Sequence, residues 1–80
     1  MIDLVRFDYD KDKESINLNR VSDFVHSIQV DLAPLSEEIN EQKGLLVIKI
    51  FNNDRMVYSV ENVSSETINK INDLTEPPAP

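Results

Sequence analysis

An 80-residue chain that is 40% hydrophobic and 29% charged has room for one small domain and too much apolar content for a disordered one. It contains no cysteine, which excludes disulfides, thiolate nucleophiles and cysteine-ligated zinc. A net charge of −7 sets it against nucleic acid and anionic membranes and leaves basic proteins as partners of complementary charge.

The charge is evenly spread. Residues 1–35 hold seven acidic and four basic groups, and residues 36–80 hold eight and four. That distribution describes a solvated surface more than a dedicated acidic face. No apolar run approaches the roughly 18 residues that span a bilayer, and the first residues lack the basic and long apolar regions of a signal peptide. These features point to the cytoplasm.

Met1–Tyr9, MIDLVRFDY, is β-prone: Val5, Phe7 and Tyr9 alternate with Leu4, Arg6 and Asp8. It reads as a short edge strand or a loosely held arm. The segment that follows, DYDKDKES from Asp8, places Asp8, Asp10 and Asp12 at alternate positions, as a calcium loop begins. An EF-hand register from Asp8 puts Lys13 where glycine is needed and Asn19 where the closing glutamate is needed. A register from Asp10 puts Ser15 and Val21 there. Both fail, so residues 10–15 read as a charged connector and no metal site is expected.

Leu18, Val21, Val25, Ile28, Leu32 and Leu35 follow a 3-4-3-4-3 spacing, widened by Phe24. This predicts an amphipathic helix from about Asn17 or Asn19 to Leu32, capped by asparagine and stopped by Pro34. His26, the only histidine, follows Val25 away from the seam and reads as a surface residue. Residues 35–43, LSEEINEQK, carry two signals. Ser36 with Glu37, Glu38 and Glu41 favours a short helix ended by Gly44, whereas the alternation of Leu35, Glu37 and Ile39 allows a polar strand.

Leu45–Phe51, LLVIKIF, is a branched apolar strand. Asn52–Arg55 supplies turn chemistry, and Met56–Glu61 alternates Met56, Tyr58 and Val60 with Val57, Ser59 and Glu61, which predicts an antiparallel hairpin. A second helix follows at 64–74, with Ser64 as cap, Val63 and Ile68 as a hydrophobic staple, and Ile68, Ile71 and Leu74 on one face. Residues 76–80 form a proline-rich tail.

These elements give a small α+β fold: an antiparallel sheet built on the 45–61 hairpin, packed against two amphipathic helices. Residues 16–75 form the domain, preceded by an arm or edge strand with its connector. The single glycine rules out a phosphate-cradling glycine-rich loop. The Ser64–Ser65 pair reads as a cap, and Glu37, Glu38 and Glu41 as a surface face. No catalytic, cofactor-binding or metal-ligating set assembles, so a non-enzyme without cofactor is expected. The hairpin is apolar on both faces, and two helices cover one of them. The less protected face or the hairpin edge, marked by Leu45, Val47, Phe51 and Val57, is therefore the expected protein-binding surface. The partner is a protein or a second copy, with no nucleic acid, membrane or small-molecule substrate in view.

From Val21 to Leu74 the order VSDFVHSIQVDL, a polar stretch, then GLLVIKIFNNDRMVYSVENVSSETINKINDL resembles the conserved domain of the FlaG family of flagellar proteins. The second strand continues as VYSVENV where that family runs Ile-Arg-x-Ile-Pro. The resemblance implies a non-catalytic role at the flagellar filament and a strand at 35–43. Composition alone supports a different protein-binding role, that of an acidic inhibitor from a phage or other mobile element. It would act on a basic host protein, in its sharpest form as a DNA mimic.

Overall fold

A computed structural model describes residues 1–9, 17–51 and 55–75. The chain runs β1 (Leu4–Tyr9), α1 (Leu18–Asp31), a 3-10 turn (Ala33–Leu35), α2 (Ser36–Glu41), β2 (Leu45–Ile50), β3 (Met56–Glu61) and α3 (Ser65–Thr75). The three strands form one sheet in the order β1-β2-β3. The class is α+β, but the sheet is mixed: β2 and β3 are antiparallel, as the hairpin pattern predicts, and β1 joins β2 in parallel. A parallel neighbour needs a long crossover, and α1 and α2 supply it. The edge-strand reading of the N-terminal segment is therefore the one the fold adopts.

Asn17 caps α1, its side chain accepting from the Arg20 amide at 3.2 Å. Pro34 sits in the 3-10 turn, where a missing amide hydrogen costs little. Residues 35–43 take the helical option, because Glu37 and Glu38 fall in the first turn of α2 and favour it through the helix dipole.

The end of α2 differs from the expected glycine cap. Lys43 takes the left-handed conformation (φ 57°), and its amide bonds Asn40 O at 3.0 Å. The Gly44 amide bonds Ile39 O at 2.8 Å, completing a Schellman motif with lysine at the strained position. Gly44 is required for space instead. A Cβ there would lie 2.5 Å from Ile39 Cγ2 and 2.7 Å from Val63 Cγ1.

Leu46, Ile48 and Ile50 of β2 face the helices, with Val60 of β3, and meet Ile28, Leu32, Ile39 and Ile71 in the core. Ile2, ahead of β1, belongs to the same core. Two side-chain amides hold it there. Gln29 accepts from the Ile2 amide (2.8 Å) and donates to the Ile2 carbonyl (3.1 Å). Asn40 donates to Met1 O (2.8 Å) and accepts from the Asp3 amide (2.9 Å). Each carboxamide bonds the chain as a neighbouring strand would, Gln29 from α1 and Asn40 from α2.

Candidate functional site

The registers sort each strand into two faces. Val5, Phe7 and Tyr9 pair with Leu46, Ile48 and Ile50 on the helix-bearing face. Leu4, Arg6 and Asp8 pair with Leu45, Val47 and Lys49 on the other, where β3 contributes Val57, Ser59 and Glu61. The four residues expected to mark a binding surface fall on or beside this second face. Val47 is completely buried, Leu45 and Val57 are half-buried, and Phe51 is half-buried under the Arg55 guanidinium, which lies 5.9 Å from the ring centroid. Arg6 reaches across the central strand to Glu61 (3.7 Å) and also bonds Asp8 (3.1 Å). The described part of this face is therefore crossed by ion pairs, with Leu4 at its edge 46% exposed.

Larger apolar exposure lies at the opposite edge, between β1 and α1. Phe7 is 39% exposed, Tyr9 50% and Leu18 72%, although all three belong to apolar patterns in the sequence. Phe7 and Leu18, with Val5, Val21 and Val25, line an open groove of about 590 Å³. His26 stands exposed on its wall. The groove exists because Ile28, in the C-terminal half of α1, and Leu32, its C-cap, carry the packing, while Leu18 at the other end lies beyond it. The alternation of Val5, Phe7 and Tyr9 was visible in the sequence. That an edge strand here would lie beside the free end of a helix was not.

One polar cluster joins α2 to α3. The Thr67 hydroxyl, itself buried, donates to Glu38 Oε2 at 2.6 Å and accepts from Gln42 Nε2 at 2.9 Å. Ser64 Oγ lies 3.0 Å from the same hydroxyl and accepts from the Thr67 amide, the cap the sequence predicts. Lys70 donates to Glu38 Oε1 at 3.0 Å. The Thr67 hydrogen bond, followed by Lys70, holds the Glu38 carboxyl below the ordinary glutamate value; Glu38 in turn raises Lys70. Every strong contact in the cluster is internal, and it reads as a helix-to-helix joint.

Among the described residues, no group of three His, Asp or Glu side chains is placed to hold a metal ion. Asp10 and Asp12 of the candidate calcium run lie outside the described residues, as do the turn at 52–54 and the tail at 76–80. No described helix is long and apolar enough to cross a membrane. No family model, curated protein or solved structure matches the chain.

Proposed function

We propose that the chain is a small acidic domain that binds protein and performs no catalysis. The observation that carries this reading is the open groove between β1 and α1, where Phe7 and Leu18 stay exposed beside a strand whose outer edge no described strand pairs. An apolar patch rimmed by polar groups is an interaction site far more often than a solvated one. The edge adds backbone donors and acceptors that a partner strand can use. Apolar contact supplies most of the affinity, and the −7 charge of the chain favours basic partners and sets the on-rate.

A flagellum-associated role is the narrower form of the reading. Its support is the order of helix, apolar strand, second strand and serine-capped helix over Val21–Leu74. The helix at Ser36–Glu41, where that resemblance implies a strand, is a departure from it. The test is photo-crosslinking in the source cell from benzoylphenylalanine placed at Phe7, Leu18 or Ser59. Crosslinks to one protein from Phe7 and Leu18, and none from Ser59 on the far face, are expected. No adduct at either groove position would sink the reading. A partner captured only at low salt would favour the inhibitor of a basic protein instead.

A further inference from the structure

Among the described residues no strand pairs the outer edge of β1; that edge is self-complementary, and we propose that a second copy of this chain pairs with it, antiparallel and centred on Phe7, to form a six-stranded sheet. The inference rests on the protein-binding reading and names the partner and the surface. Consecutive residues of an extended strand direct their backbone groups to opposite sides. Met1 and Asp3 bond Asn40, which leads through Gly44 into β2, whereas Ile2 bonds Gln29 on the outer side. The same alternation carried along β1 turns the N–H and C=O of Leu4, Arg6 and Asp8 outward to the free edge. Nothing in Leu4–Tyr9 blunts that edge: it has no proline and no glycine, only the two charges.

Those two charges select the register. A two-fold axis through Phe7 sets Arg6 opposite Asp8 of the other copy, and Asp8 opposite its Arg6. Val5 then meets Tyr9 on the groove face, and the Phe7 rings meet on the axis in the non-hydrogen-bonded position, where side chains approach most closely. An axis through Arg6 or Asp8 opposes like charges. An axis through Val5 sets Phe7 against Asp3 and Arg6 against Leu4. Arg6 already bonds its own Asp8 at 3.1 Å and reaches Glu61 at 3.7 Å, so the pair closes a ring of two arginines and two aspartates with a glutamate at each end. Opposed charges are what two chains of net charge −7 require at their point of contact. The axis stands perpendicular to the sheet, so both α1 helices lie on one face and the two grooves adjoin, covering Phe7, Tyr9 and Leu18 from both sides.

Sedimentation velocity across low to high micromolar concentration tests this. The unaltered chain is expected to show a reversible monomer–dimer equilibrium. Asp8→Arg, and Arg6→Asp made together with Glu61→Gln so that the new carboxylate does not face Glu61, should each weaken the dimer at least about tenfold. An equimolar mixture of the two should restore it, since each arginine again opposes an aspartate. Melting curves verify that each variant folds. Should one not fold, Phe7→Lys, which sets two ammonium groups on the axis, must give a monomer. A monomeric unaltered chain, variants that dimerise undiminished, or a mixture that stays monomeric would overturn the proposal. A monomer that still crosslinks a different protein from Phe7 would overturn this inference and leave the protein-binding reading standing.

Discussion

On one side of β2, Leu46, Ile48 and Ile50 are buried beneath three helices. On the other side Val47 is buried just as completely with no described helix above it. Both sides are dry, but the means differ. The first is closed by interlocking side chains at the density of a protein interior. On the second, Arg6 stands opposite Val47 in the strand register and its guanidinium reaches a carboxylate two strands away. Packed interiors respond to any change of shape or charge, whereas a draped side chain responds only when its stem is removed. The two faces should therefore differ in how steeply stability falls on substitution.

The largest effect is expected from Ile28→Asp. Ile28 is buried in the core, and an aspartate there has no partner. The whole stability of an 80-residue domain is on the order of 4–12 kcal/mol, and an unpaired buried carboxylate costs about 4 kcal/mol or more. Urea unfolding should find the midpoint driven far toward zero denaturant. His26→Asp, two residues away on the exposed wall of the groove, should stay within about 0.5 kcal/mol of the unaltered chain. Equal losses from both would mean that α1 buries a different face.

A smaller effect separates Gly44 from Lys43. Gly44→Ala forces a methyl against Ile39 and Val63 and should cost about 1–3 kcal/mol. Lys43→Gly relieves the left-handed lysine and should raise stability by up to about 1 kcal/mol. The reverse pattern in melting temperatures would place the strained residue one position later, where the sequence first suggests it.

Much of the packed face was legible in the sequence. The 3-4 spacing gave α1, Asn17 and Ser64 gave the two caps, and the run LLVIKIF gave the central strand, because local periodicity and capping act within a few residues. The parallel docking of β1 was not legible, nor were the amide clamps from Gln29 and Asn40, since both join residues 27 or more apart. Leu18 shows a different limit. It continues the stripe faithfully, yet it is 72% exposed, because periodicity says which way a side chain points and not whether anything stands there. Val47 is the converse, a residue read as surface and completely buried, opposite an arginine far from it in the sequence.

The joint between α2 and α3 comes next in size. Thr67→Val removes the donor to Glu38 and the acceptor for Gln42 and should cost about 1–2 kcal/mol. Glu38 has its pKa lowered in the folded chain, so its contribution is whole above about pH 4.3 and is lost as pH falls through the lowered value. Lys70 has its pKa raised, so its contribution is whole below about pH 10.4 and is lost as pH rises through the raised value. Glu38→Gln should flatten the acid limb of a stability–pH profile measured by urea titration. An unchanged limb would mean that the carboxylate contributes nothing to folding.

The smallest effect tests the draped face itself, at concentrations low enough to exclude association. Exposed ion pairs contribute about 0–1 kcal/mol, and both partners of the Arg6–Glu61 pair are half exposed. If the bridge acts through its charge, Arg6→Met and Glu61→Gln should cost as much as Arg6→Ala, and all three deficits should vanish in high salt. If it acts through the apolar stem lying over Val47, the order changes. Arg6→Ala should then cost about 1 kcal/mol and keep that cost in salt, because the loss is one of coverage. Arg6→Met retains most of the stem and should stay within about 0.5 kcal/mol of the unaltered chain, as should Glu61→Gln. The complete burial of Val47 favours the second order, since a pair 3.7 Å apart is too loose to seal the strand without the methylenes beneath it. Equal losses from Arg6→Ala and Arg6→Met in urea titrations would show that charge, and not coverage, keeps this face dry.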